Sequence, residues 1–218
     1  MLFRSDLLSG IPATQLPSLS SPTSIGYGCY PRLIRLLGPN GGFSFGRSAI
    51  FQDHFTEFPL LPLASVRKFH LIHHTPWWVD APITLVFPPS FFPALETFTV
   101  DCDASMPQLL STLLSNPSSL PSLKTLAFLN CNLSPDFMEA LIQFASNRKN
   151  TASTWLHRII IVNSSNRKLP SVSSIEALEK YVPSVDVNAG EELPVDLVWR
   201  DPGRFTKFPI SVSQYGYV

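Results

Sequence analysis

The sequence predicts an α/β fold in which a short strand recurs along the chain, each copy followed by a longer connection. The segment 123–133, LKTLAFLNCNL, has apolar residues at its positions 1, 4, 6, 9 and 11. Positions 1, 4 and 6 are apolar again in four further segments, and successive segments start 29, 28, 33 and 26 residues apart. Because alternate residues of a strand share a face, positions 4 and 6 of every copy would point into one core.

This spacing is typical of a leucine-rich repeat, L-x-x-L-x-L-x-x-N/C-x-L, with Phe128 replacing one leucine and Cys131 at the ninth position. The apolar positions 1, 4 and 6 of the five copies are Val66, Phe69 and Leu71; Leu95, Phe98 and Val100; Leu123, Leu126 and Phe128; Leu156, Ile159 and Ile161; and Val182, Val185 and Val187. We therefore expect a short leucine-rich repeat solenoid. Parallel strands would line its concave face, and helices with irregular segments its convex face.

Two of the connections carry helix signals. Ser134 is placed to cap a helix that starts at Pro135. The apolar stripe of this helix would be Phe137, Leu141, Phe144 and Ala145, with Arg148 and Lys149 at its carboxyl end. A capping box of Ser173 and Glu176 predicts a second helix that runs to about Tyr181.

The period divides the chain into three parts. Residues 1–60 are expected to be irregular and poorly ordered, beginning with a Ser-, Pro- and Gly-rich stretch to about residue 30. Within this part, 30–37 suits a strand or one helical turn, and 43–58 is apolar in patches that suit a degenerate earlier repeat. Residues 61–197 would form the repeat domain with about five repeats. Residues 198–218 lose the period and are expected to form a tail, either poorly ordered or folded back over the open end of the solenoid.

Composition excludes several function classes. The 218 residues have a formal net charge of zero and only 15 % charged residues, so nucleic acid and anionic membranes are not expected partners. No apolar run approaches the roughly 18 residues that span a bilayer. Three unevenly spaced cysteines do not predict a disulfide framework, which favours a cytoplasmic or nuclear protein.

Positions 3, 5 and 7 of each strand would face the concave side, where the sequence predicts a protein-binding surface. An apolar patch at its centre is flanked by polar side chains, and exposed apolar patches often mark protein contacts. The predicted binding residues are His70, Thr99, Asp101, Ala127, Leu129, Arg158, Ile160 and Val162. The alternative is that the C-terminal tail covers the patch within the same chain.

Metal and catalytic hypotheses are weaker. On a strand His70 and His73 would lie on opposite faces, and no Cys or carboxylate at ligand spacing joins them and His74. Position 8 presents cysteine-protease residue types: His73, Cys102, Asn130 and Asn163. Nothing in the sequence lowers the thiol pKa or supplies an oxyanion hole, so we expect no enzyme, no cofactor and no metal.

The sequence contains two other motifs. Trp77 and Trp78 lie in a proline-broken loop, where they would either anchor a partner or pack over the first repeat. Asn163 opens a glycosylation sequon, which has no consequence in an intracellular protein.

Beyond these patterns, four segments resemble the C-terminal leucine-rich region of fungal F-box proteins of the mushroom type. They are 92–103 (FPALETFTVDCD), 109–150, 155–164 (WLHRIIIVNS) and 185–197 (VDVNAGEELPVDL). The resemblance implies a client-recognition arm of a cullin ubiquitin ligase, in which an F-box docks on a Skp-type adaptor. Residues 1–60 lack the helical periodicity of an F-box, so that docking part would lie elsewhere or be lost. The alternative is a truncated remnant or a purely structural repeat protein.

Overall fold

The computed structural model describes residues 22–29, 32–38, 41–47, 61–73, 87–102, 113, 118–151, 155–163 and 169–189. In these ranges the chain is α/β, with one sheet, two α-helices and the single helical residue Leu113. The strands are β1 (Ser24–Cys29), β2 (Arg32–Gly38), β3 (Gly41–Arg47), β4 (Lys68–His73), β5 (Thr97–Cys102), β6 (Thr125–Leu129), β7 (Arg158–Asn163) and β8 (Ser184–Ala189). The helices are α1 (Pro135–Thr151) and α2 (Val172–Glu179).

The sheet has the strand order β3-β2-β1-β4-β5-β6-β7-β8. The six strands from β1 and β4 through β8 run parallel, while β2 and β3 extend the sheet beyond β1 as antiparallel strands. Parallel neighbours require crossover connections. The long segments between the apolar strands, two of which contain α1 and α2, supply them.

The register confirms the repeat positions read from the sequence. Position 4 aligns across five strands as Phe69, Phe98, Leu126, Ile159 and Val185. Position 6 aligns in the same way as Leu71, Val100, Phe128, Ile161 and Val187. A slip by one residue would turn each of these side chains to the other face of the sheet, and in β5 and β8, where apolar and polar residues alternate, this alone fixes the register.

Backbone hydrogen bonds also join each unit to the next, through the carbonyl oxygen of the residue that directly precedes each strand. The carbonyl oxygen of Arg67 accepts hydrogen bonds from the backbone N–H groups of Glu96 and Thr97, at 2.8 and 2.9 Å. The carbonyl oxygens of Thr23, Glu96 and Lys124 each accept the equivalent two bonds from the following unit. Pro183 has no N–H, so the last unit is joined by the Ser184 N–H alone, at 3.2 Å from the His157 oxygen.

The main core lies between the sheet and its helices. Position 1 of the five repeats is buried to 0–2 % exposure throughout, as Val66, Leu95, Leu123, Leu156 and Val182. Under β4 and β5 the core is aromatic: the rings of Phe69 and Phe98 stack at 5.4 Å, and those of Phe87 and Phe98 at 4.5 Å. Phe87 belongs to the proline-rich segment FPPSFFP, whose prolines permit a short 3-10 turn, Pro89–Phe91.

Helix α1 begins as the sequence predicts, whereas α2 does not. The Phe137 N–H donates to Ser134 Oγ at 3.2 Å, and the predicted stripe of α1 is buried. In α2 the cap is Ser171, not Ser173, because Ser171 has extended backbone and its hydroxyl accepts from the Ser174 N–H. This helix ends at Glu179, before Tyr181. Within the described ranges, no helix is long and apolar enough to cross a membrane.

The amino-terminal part of the chain differs from the sequence-based expectation. Residues 1–60 are predicted to be irregular, but 24–29 and 41–47 form strands, and 32–38 forms the strand that is one of the two sequence-based alternatives for 30–37. In β1 the buried Ile25 pairs with Phe69, so Ile25 continues the row of position-4 residues and β1 is an additional strand of the ladder. Ile25 precedes Phe69 by 44 residues, because β2 and β3 are inserted between the two units. The stretched spacing conceals the additional unit from a periodicity search.

Candidate interaction surface

The face of the sheet opposite the helices carries positions 3, 5 and 7 in aligned rows. The position-5 row is His70, Thr99, Ala127, Ile160 and Asp186, and the position-7 row is Ile72, Asp101, Leu129, Val162 and Asn188. The position-3 row is Lys68, Thr97, Thr125, Arg158 and Ser184. The structure therefore brings together the eight residues that the sequence assigns to one surface.

The apolar centre of this face is not exposed, which corrects the sequence-based expectation. Ala127 and Ile160 are 0 % exposed, Leu129 is 1 % and Val162 is 4 %. These four residues form a second hydrophobic cluster, separate from the main core. Thr99 beside them is also buried, at 3 %. Residues 198–218, the cover that the sequence suggests, lie outside the described residues.

Polar side chains flank the buried cluster. Arg158 Nε lies 2.6 Å from Asp186 Oδ2, and about a third of each side chain is exposed. On the other side Asn130 Nδ2 donates to Asp101 Oδ1 at 3.4 Å. Asn130 follows β6 with φ of 52°, a left-handed conformation that asparagine tolerates better than most residues. The chain thus turns out of β6 next to the Asp101 carboxylate.

A charged edge adjoins the position-3 row where the parallel strands begin. Glu96 Oε1 lies 3.7 Å from Arg67 Nη1 and 3.6 Å from Lys124 Nζ, so one carboxylate bridges two neighbouring units. The Arg67 and Lys124 side chains remain 65 % and 46 % exposed. Exposed pairs of this kind add little to stability, generally below about 1 kcal/mol. Their charges therefore remain accessible to a partner.

An exposed tryptophan lies at the same end of β7. Trp155 is 49 % exposed, and Lys149 Nζ lies 5.9 Å from the centre of its ring. The same ammonium group lies 5.9 Å from the Tyr181 ring and donates to the Lys180 carbonyl oxygen at 2.9 Å. Such cation–π contacts hold an aromatic side chain in place at a surface. The sequence-based reading does not assign Trp155 to any surface.

The structure describes only some of the side chains named in the metal and catalytic hypotheses. The backbones of His73 and Cys102 are register partners, but their side chains lie outside the described set, as do His74, Trp77 and Trp78. Among the described residues no group of three His, Cys, Asp or Glu side chains is arranged to hold a metal ion. Asn163 of the sequon is 1 % exposed, so the folded chain does not present it for glycosylation.

Arg148 lies at the carboxyl end of α1, as the sequence predicts, but its side chain is buried. It is 0 % exposed, with Nη1 donating to the Leu120 carbonyl oxygen at 2.9 Å and Nη2 to that of Leu123 at 2.8 Å. Burial lowers the pKa of its guanidinium, which nevertheless stays protonated at neutral pH because its ordinary value is so high. Arg148 thereby ties α1 to the loop that leads into β6.

No protein-family model matches the chain, and neither the curated proteins nor the solved structures contain a match. The class that the fold defines is an α/β protein with six parallel strands in one sheet. Its candidate site is a surface rather than a cleft: the position-3 row with its charged edge.

Proposed function

We propose that this chain is a leucine-rich repeat module that recognises another protein. The observation that supports the proposal is the unbroken register of five strands, in which each repeat position forms a row across the sheet. Stacked repeats of this kind give extended surfaces, and extended surfaces are suited to protein partners.

The contact surface in this proposal is the position-3 row together with the charged edge beside it. These side chains are polar and partly or fully exposed, whereas the apolar centre of the face is buried. The buried cluster then supports the surface from within and does not touch the partner. By its resemblance to fungal F-box proteins, the module would be the client-recognition part of a ubiquitin-ligase adaptor.

Thr125→Tyr tests the proposed surface without changing charge. Thr125 is half-buried in the middle of the position-3 row, and tyrosine is well tolerated in strands. Its bulk would obstruct a partner that lies along the row. We expect affinity purification of the tagged chain to recover a specific protein, and Thr125→Tyr to reduce that recovery at least about fivefold, the effect of losing a central contact.

The matched control is Gln143→Tyr, an exposed position on α1, which should leave recovery unchanged. Equal recovery by wild type and both variants would contradict the proposed surface. Co-purification of a Skp-type adaptor would support the ligase role, whereas a specific client without the adaptor would indicate a stand-alone recognition module. If only chaperones are recovered, the proposal fails.

A further inference from the structure

Basic side chains are concentrated at one edge of the described sheet. Along the beginning of the parallel strands lie four basic side chains, Arg67, Lys68, Lys124 and Arg158, against two acidic ones, Glu96 and Asp186. We call the four basic residues the basic edge. On the helical side the balance is reversed: four exposed acidic residues, Asp136, Glu139, Glu176 and Glu179, stand against two exposed lysines, Lys149 and Lys180. A chain with no net charge thus carries an excess of positive charge on its candidate surface.

The acidic residues of the surface do not cancel this excess. Glu96 already lies within 3.7 Å of two cations, and Asp186 pairs with Arg158 at 2.6 Å. The Lys68 side chain is exposed, and nearly half of Lys124 is exposed. An incoming carboxylate would therefore meet more cationic than anionic groups along the edge, and complementary charge favours both encounter and orientation.

Trp155 supplies an exposed apolar side chain in the segment that leads into β7, at the end of the sheet where the basic edge lies. Its ring is half exposed, lies next to the Lys149 ammonium group, and precedes His157 and Arg158 at the start of β7. Tryptophan and arginine are enriched among the residues that dominate binding energy at interfaces. A partner that carries only charge would leave this ring unused.

We propose that the partner is an extended acidic protein segment that also carries apolar side chains, one of which contacts Trp155. This inference rests on the proposed protein-recognition function and adds the chemistry of the partner. From Lys68 on β4 to Arg158 on β7 the edge crosses three strand spacings, about 14 Å, the length of four or five extended residues. An alternation of acidic and apolar residues fits that length, with the acidic residues on the basic edge and an apolar residue near β7 in contact with Trp155.

The test is fluorescence anisotropy with the full chain and a labelled peptide of alternating Glu and Leu, compared with a peptide of alternating Lys and Leu. We expect the acidic peptide to bind and the basic peptide not to bind. Affinity for the acidic peptide should fall as salt is raised through physiological ionic strength, where the screening length is about 8 Å. Equal binding of both peptides would overturn the acidic preference.

Two variants that each lower the net charge by one test whether binding depends on charge at the basic edge or on the net charge of the whole protein. Lys124→Gln on the basic edge is expected to weaken binding of the acidic peptide at least about twofold, since exposed ion pairs contribute up to about 1 kcal/mol. Gln143→Glu on α1 should leave it unchanged. Trp155→Ala should weaken binding about fivefold or more, as loss of an aromatic anchor does. Equal effects of the two charge variants would contradict the basic edge as the binding site.

Failure of this inference can be told from failure of the proposed function. In one outcome the acidic peptide does not bind, while a client is purified with the wild-type chain and lost with Thr125→Tyr. That result would support the proposed contact surface and show that the inferred acidic partner is wrong. If neither the peptide nor a Thr125-dependent client binds, both are wrong.

Discussion

Replacing Arg148 by methionine is expected to lower the free energy of unfolding by about 2–4 kcal/mol. Methionine fills similar space but removes both guanidinium donors: the Leu123 carbonyl oxygen loses its bond from Arg148, and the Leu120 oxygen keeps only the one from the Leu123 N–H. Hydrogen bonds to charged groups contribute about 1.5–3 kcal/mol each. The relief of no longer burying a charge offsets part of this loss. Urea unfolding followed by circular dichroism measures the difference.

The neighbouring Lys149→Met is the control. Lys149 is exposed, and its bond to the Lys180 carbonyl lies at the surface, so a change below about 1 kcal/mol is expected. Arg148→Lys should also destabilise the protein, because an ammonium group does not reproduce the two-pronged geometry of a guanidinium. If Arg148→Met cost no more than Lys149→Met, the role given to Arg148 in joining α1 to β6 would be wrong.

Leu129→Asp is expected to be the most damaging surface-directed substitution that the sequence alone would suggest. If the patch were an open binding surface, an aspartate there would cost little stability and would affect only binding. Because Leu129 is 1 % exposed, the variant instead buries an unpaired carboxylate and should cost more than about 3 kcal/mol. Thermal unfolding followed by circular dichroism distinguishes the two results.

Thr125→Asp is the control on the same strand. Thr125 is half-buried, and the basic residues Lys124 and Arg158 lie beside it, so we expect a change within about 1 kcal/mol. A folded Leu129→Asp variant with wild-type stability would mean that the second cluster is open to solvent. The contact surface would then include the apolar patch.

Strand register was predictable because it depends on local periodicity. Phe98, Leu126 and Ile159 occupy the same place in three repeats. In β5 the alternation of Phe98 and Val100 with polar residues permits only one pairing that buries them together, whereas β6 and β7 are apolar on both faces and their register was predicted from the repeat spacing. The start of α1 was predictable for a similar reason, since Ser134 is directly followed by a proline suited to the first helical position.

Other features depend on tertiary context that periodicity does not carry. The place of β1 in the ladder is concealed because β2 and β3 separate Ile25 from Phe69. Ser171 and Ser173 are equally good caps in sequence, and only the backbone conformation chooses between them. Burial of Leu129 and Arg148 depends on what packs around each side chain, which no local pattern specifies.

The candidate surface likewise combines a feature that local periodicity predicts with one that depends on tertiary context. The sequence predicts which residues share the face, because alternation along each strand determines that. It does not predict how deeply each is buried, so it assigns the binding role to the apolar centre. In the structure the accessible residues are instead those of the polar row that begins at Lys68, together with Trp155, which lies outside positions 3, 5 and 7.

The in-register parallel ladder is the central claim, and methyl NOE spectroscopy on a chain with labelled Ile, Leu and Val methyl groups tests it most directly. Register partners on one face lie about 5 Å apart, within reach of a strong methyl–methyl NOE. We predict contacts between Leu71 and Val100, between Leu126 and Ile159, and between Ile159 and Val185. Absence of these contacts, or a contact from Leu126 to Ile161 in place of Ile159, would contradict the ladder and the surface built on it.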